Sequence, residues 1–163
     1  IVYQQLTAKA AATIYGRVCK SFGSSRCPGA EKVADAPDEL LRAAGLSRSK
    51  VSAVKDLAQK SLDGEIPTRR AAEKLSDAAL VECLTNVRGV GTWTVEMFLI
   101  FTLGRPDVLP LDDYGVRKGF ARTFGRDVLP KPKELAALGE KWRPFRTAAS
   151  WYLWRALDLD AKG

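Results

Sequence analysis

The stretch Leu84-Thr85-Asn86-Val87-Arg88-Gly89-Val90-Gly91-Thr92-Trp93-Thr94 decides how the chain is read. Upstream of the turn, Leu80, Cys83, Leu84 and Val87 recur at helical spacing, and downstream Val95, Phe98, Leu99 and Thr102 do the same. Two amphipathic helices are therefore expected on either side of a tight Gly89-x-Gly91 turn. Glycine there allows backbone angles that a Cβ resists, and lets a phosphate oxygen come close to the main chain. Free amides at the start of the second helix, aided by the helix dipole, then point at the anion. Such a contact fixes position on a nucleic-acid backbone and reads no sequence. A helix–helix turn that merely needs two glycines would look the same.

Working outward, helical periodicity recurs and no strand-and-turn series is found, so the fold class is all-α. A first helix is expected from Val2 to Phe22, ended by Gly23. Short helices follow at Ala30–Ala34 and Pro37–Ala44, the latter stopped by Gly45. Ser47 is a good N-cap for a helix to Leu62, with Val51, Val54, Leu57, Ala58 and Leu62 on one face. Thr68 caps a helix to Lys74 and Ser76 one to Asn86. Thr92–Leu103 reads as a strongly apolar helix, Gly104–Leu111 as a loop, and Tyr114–Phe124, Lys133–Lys141 and Pro144–Leu157 as the last helices.

The 163 residues suit one domain or two small lobes, and at 46% apolar they can build a core. A formal charge of +7 favours a polyanionic partner, nucleic acid ahead of an anionic membrane. No apolar run approaches the length of a bilayer span, and no signal-peptide pattern opens the chain. The three cysteines, Cys19, Cys27 and Cys83, are odd in number and lack zinc or iron–sulfur spacing. There is no histidine, which removes histidine triads and leaves Asp, Glu, Lys, Cys or Tyr for acid–base work.

The run Val87–Thr94, together with Leu109-Pro110-Leu111-Asp112-Asp113-Tyr114, resembles the helix-hairpin-helix DNA glycosylase superfamily, closest to its DNA-3-methyladenine glycosylase II branch. The likeness begins at Ile1-Val2-Tyr3-Gln4-Gln5-Leu6-Thr7, passes through Gly45-Leu46-Ser47-x-x-Lys50, and ends at Lys141-Trp142-Arg143-Pro144-Phe145-Arg146-Thr147-Ala148-Ala149, a marker of the alkylpurine branch. It implies one glycosylase domain over 1–163 with two helical lobes, 51–124 and 1–50 plus 125–163, and a cleft between them. It also implies that an N-terminal part of the family pattern lies upstream of Ile1.

The resemblance implies a monofunctional glycosylase of base excision repair that hydrolyses the N-glycosidic bond of alkylated purines, 3-methyladenine and 7-methylguanine, flipped from duplex DNA. Alternatives of another kind are a non-catalytic DNA-binding module or a glycosylase for another damaged base. The essential carboxylate falls on Asp113, with Asp112 as the fallback. Either could instead serve as a helix N-cap. Trp93 stands where lyase members carry a Schiff-base lysine, which implies hydrolysis by water.

Trp93 and Trp154 match aromatic positions of the family's base pocket, with Tyr114 and Tyr152 nearby. Met97 replaces a ring found in well-known relatives. Trp142 and Trp151 are read as core. Gln5, with Gln4 beside it, lies where the family inserts a side chain into the duplex, and Leu46 and Ser47 lie near a second probe.

Besides the hairpin residues Val87, Arg88, Gly89, Val90, Gly91 and Thr92, the expected phosphate contacts are Arg48, Lys50, Arg117 and Lys118. The family hairpin implies a Na+ or K+ ion on the main-chain carbonyls of Thr85, Val87 and Val90, and no iron–sulfur cluster. The implied partner is damaged duplex DNA, with a monomeric protein and no membrane. Its location would be the cytoplasm and nucleoid of a bacterium or the nucleus of a eukaryote.

Overall fold

The structure is a computed structural model in which residues 1–158 are described, and every regular element among them is helical. The order is α1 Ala8–Ser21, α2 Ala30–Asp35, α3 Asp38–Ala43, α4 Arg48–Leu62, α5 Arg69–Ala72, α6 Asp77–Leu84, α7 Thr92–Phe101, α8 Tyr114–Thr123, α9 Pro132–Gly139 and α10 Arg146–Asp158. A single 3-10 turn, Glu140–Trp142, leads from α9 toward α10. Among the described residues no helix is long and apolar enough to cross a membrane.

The expected caps account for the starts of α4, α5 and α6. The hydroxyls of Ser47, Thr68 and Ser76 accept the amides of Lys50, Ala71 and Ala79, each satisfying an amide that has no partner inside its helix. The first helix is the exception to the sequence reading. It starts at Ala8, where Thr7 caps it, and Ile1–Thr7 forms turns. Gln5 has φ 55°, in the left-handed region, and a residue there cannot continue an α-helix.

The chain packs as two compact units, Ile1–Val95 and a second from Glu96 onward. This division falls inside α7, at a different place from the lobe limits read from the sequence. In the first unit, Val18, Leu41, Leu46 and Val51 form a core on which Val2, Ile14 and Val54 also pack. In the second, Leu109, Val116, Phe120, Leu135 and Leu153 form another, flanked by Trp142 and Trp154. α8 lies against α10. Gly119 makes that approach possible, since a Cβ there would run into the carbonyl oxygen of Leu153.

Candidate functional site

In the first unit, the turn between α6 and α7 is held from several sides. Val87 is buried, the Val90 amide donates to the Val87 carbonyl at 3.0 Å, and Gly89 sits at φ 71°. The Arg88 amide donates to Asp56 Oδ2 on α4 at 2.7 Å. Asp56 was not singled out from the sequence, because nothing in the spacing links a mid-helix aspartate to a turn 32 residues away. Gly91 differs from Gly89. Its φ is not positive, and nothing stands within 4 Å of where its Cβ would lie. No contact within the chain therefore requires glycine at this exposed position.

The N-terminal turns lean on this hairpin. Gln4 Nε2 donates to the Gly89 carbonyl at 3.0 Å and to Thr94 Oγ1 at 2.8 Å. Lys50 Nζ donates to the carbonyls of Val2 and Gln4 at 2.8 and 2.7 Å. Three expectations change accordingly. Lys50 turns two of its three donors onto main-chain carbonyls and is not simply a solvated surface charge. Gln4 is spent on the hairpin, so of the two glutamines only the exposed Gln5 can insert into a duplex. Leu46 is a core residue, 3% exposed, and cannot probe DNA. Ser47 caps α4 and shares a hydrogen bond with Ser49 Oγ at 2.9 Å. Gln5, Ser47, Lys50, Gly89 and Trp93 line one recess of about 580 Å³. Arg48, Arg88 and Trp93 are exposed.

In the second unit, the loop after α7 delivers Asp113 to the start of α8. Asp113 Oδ1 accepts the Val116 amide at 2.7 Å and the Trp154 indole Nε1–H at 2.8 Å. Asp113 is thus the N-cap of α8, as the plain structural reading of an aspartate in that place holds. The indole bond adds something a cap does not need, a second donor that aims the carboxylate. Gly115 leaves room for it: a Cβ there would stand 2.9 Å from Trp154 Cδ1. Phe101 backs the indole, its ring stacked on Trp154 with centroids 5.9 Å apart. Asp112 is exposed.

The loop itself is fastened to the α10 region. Arg146 Nε and Nη2 donate to Asp107 Oδ1 and Oδ2 at 2.6 and 2.9 Å, and Arg143 Nη1 adds a bond to Oδ2 at 2.7 Å. These hydrogen bonds, above all that from Arg146, hold the Asp107 carboxyl below its ordinary range. Thr147 Oγ1 donates to the Arg105 carbonyl and accepts the Val108 amide, and the buried Ser150 hydroxyl donates to the Val108 carbonyl. The segment that served as a family marker in the sequence is therefore the fastening of the loop that carries Asp113.

Glu96 was missed. Burial, then the negative charges of Asp112 and Asp113, push its carboxyl up to about 7. A lone glutamate within Thr94–Phe101 was the available signal. Met97 is half-buried on the same helix.

The remaining candidates separate. Tyr114 is 64% exposed, with Lys118 Nζ 5.8 Å from its ring centroid. Arg117 is half-buried, and its Nε donates to the Pro130 carbonyl at 2.8 Å, fastening the chain before α9. Trp142 packs with Phe120 and Phe124 as expected. Trp151 does not pack as core: it is 51% exposed and meets Phe101 edge-on. The inward face of α10 is already filled by Ser150, Leu153 and Trp154, which leaves Trp151 and Tyr152 to line a shallow apolar recess with Phe101, Pro106 and Phe145.

Residues 1–144 match the family described as HhH-GPD superfamily base excision DNA repair protein. DNA-3-methyladenine glycosylase 1 of Schizosaccharomyces pombe is 40% identical over 159 residues, spanning 98% of this chain and 70% of that protein. The solved S. pombe 3-methyladenine DNA glycosylase in complex with abasic DNA aligns at TM-score 0.84 and 41% identity, covering 94% of this chain and 75% of the other. The structure of a DNA-3-methyladenine glycosidase from Bacillus halodurans aligns at TM-score 0.86 and 35% identity, covering 99% and 73%. With a glycine hairpin, an aimed aspartate at a helix start and these likenesses over nearly its whole length, the chain belongs to the HhH-GPD superfamily of base excision DNA repair proteins.

Proposed function

We propose that this protein is a monofunctional DNA glycosylase that hydrolyses the N-glycosidic bond of alkylated purines in duplex DNA. The observation that carries the reading is the Asp113 carboxylate, capped onto α8 and aimed by the Trp154 indole, in a chain similar over most of its length to 3-methyladenine glycosylases.

Breaking the bond between C1′ and the base nitrogen builds positive charge on the sugar. A fixed carboxylate beside C1′ stabilises that charge without reorganising at the moment of reaction, and orients or deprotonates the attacking water. Water adds to C1′, the base leaves with the bonding electron pair, and an abasic sugar remains. Trp93 offers no amine to form a Schiff base, so both strands stay intact. Alkylated purines such as 3-methyladenine and 7-methylguanine carry positive charge and a weakened bond. The faces of Trp93, Trp154 and Tyr114 attract such cations by about 1 kcal/mol or more per contact once water is excluded. Met97, on α7, is soft and polarizable and suits the same cations.

On the DNA side, the amides around Gly91 receive a phosphate, with Arg88 and Arg48 beside them, and Gln5 enters the gap left by the flipped base. The carbonyls of Thr85, Val87 and Val90 suit a monovalent ion. Neutral oxygens at a helix C-terminus and its following turn attract a cation without a carboxylate, and Val87 keeps a lone pair beyond the Val90 amide. Such an ion would bridge the hairpin to a phosphate.

The test is incubation with methylated duplex DNA. Release of 3-methyladenine and 7-methylguanine, with strands that break only on later alkali treatment, is expected. Binding without release would make the chain a DNA-binding module, and breaks without alkali would make it a lyase.

A further inference from the structure

Gln4 and Lys50 have no part in the chemistry above, yet each makes two hydrogen bonds within the chain. The two N–H bonds of Gln4 Nε2 go to the Gly89 carbonyl and the Thr94 hydroxyl, one on each side of the phosphate-binding amides. Lys50 Nζ grips the carbonyls of Val2 and Gln4, which flank Tyr3. Next along the chain is Gln5, exposed, and at φ 55° the one residue other than glycine with a positive φ among the described residues. A residue in that conformation persists when its surroundings over-determine it. Here the surroundings are a glutamine and a lysine that fasten the preceding residues to α4 and the hairpin.

We infer that Gln4 and Lys50 are positioning residues that lock the turn carrying Gln5 onto the phosphate-binding hairpin, so that the grip on the backbone and the side chain entering the duplex form one rigid piece. The inference rests on the reading of Gln5 as the inserted residue. Without the clamp, the Gln5 turn would have to be ordered on DNA at each encounter. With it, the geometry is set before binding, and the phosphate contact alone determines where Gln5 meets the stack. This also explains why Lys50, a basic residue on α4, is turned onto main-chain carbonyls.

The test is a double-mutant cycle read by single-turnover release of 3-methyladenine. A second readout is the fluorescence of 2-aminopurine placed opposite a tetrahydrofuran abasic analogue. Gln5→Ala and Gln4→Ala are each expected to slow release about tenfold, and the double variant to be no slower than Gln5→Ala alone. Both single variants should lower the 2-aminopurine response to the same degree. If Gln4→Ala perturbs folding, as judged by circular dichroism, Lys50→Met and Thr94→Val carry the same cycle. Full additivity in the cycle, or a Gln4→Ala protein as fast as wild type, would overturn the positioning role while leaving Gln5 in place. A Gln5→Ala protein as fast as wild type would remove the insertion reading, and the inference with it.

Discussion

In the proposed enzyme one side chain, Asp113, serves two purposes. As N-cap it satisfies an amide of α8, a contribution of about 1 kcal/mol, and the same hydrogen bond stops the carboxylate from rotating. The Trp154 indole fixes it from a second direction. The aspartate was legible in the sequence through its motif, though the motif could not tell capping from chemistry, because both need an acid just before a helix. Glu96 was not legible, since its raised carboxyl depends on burial and on two aspartates that the fold brings close. Its folded value lies above that of an exposed glutamate. The native state therefore holds the proton more tightly, and the stability this gives is complete at low pH and lost as pH rises through about 7. Glu96→Gln cannot ionise. Its melting temperature relative to wild type should rise between pH 5 and pH 8, and a gap independent of pH would contradict the assignment.

Among the elements, α8 and α10 carry the site. Gly115 and Gly119 lie four apart on α8, and both face α10, the first beside the Trp154 ring and the second against the Leu153 backbone. Backbone cannot step aside as a flexible side chain does. Gly119→Ala should therefore destabilise by about 1–3 kcal/mol, lowering the melting temperature by several degrees and loosening Trp154 from Asp113. Unchanged melting would show that the close approach is not needed. Helix existence and caps were readable from periodicity and from Ser47, Thr68 and Ser76. The start of α1 was not, because no glycine or proline interrupts the sequence before Thr7 while Gln5 takes a left-handed conformation beside long-range bonds from Gln4 and Lys50. Trp151 was misread for a related reason: residues 150, 153 and 154 already fill the inward face of α10, and composition does not reveal which face is taken.

For the whole molecule, the charge of +7 is the long-range part of the account. It draws the protein to DNA without choosing a base. Counting basic residues does not count contacts, however, since Lys50 turns two donors, and Arg117 its Nε–H, onto main-chain carbonyls. That distinction was invisible in the sequence, where a lysine on a helix face looks the same whether it points to water or to a turn. With about three phosphates neutralised, affinity for duplex DNA should fall roughly 40-fold between 50 and 200 mM salt. Arg48→Ala should reduce the slope by about one, and an unchanged slope would remove Arg48 from the interface. In the proposed reaction Asp113 is the carboxylate that serves the breaking of the glycosidic bond. Asparagine caps a helix as well as aspartate does, so Asp113→Asn separates the chemistry from the fold. The decisive measurement is single-turnover release of 3-methyladenine from methylated duplex DNA by wild type, Asp113→Asn and Asp112→Asn. Asp113→Asn is expected to lose about a hundredfold or more in rate with DNA affinity kept, and Asp112→Asn to stay near wild type. An Asp113→Asn protein that still releases base at the wild-type rate would contradict that role for Asp113.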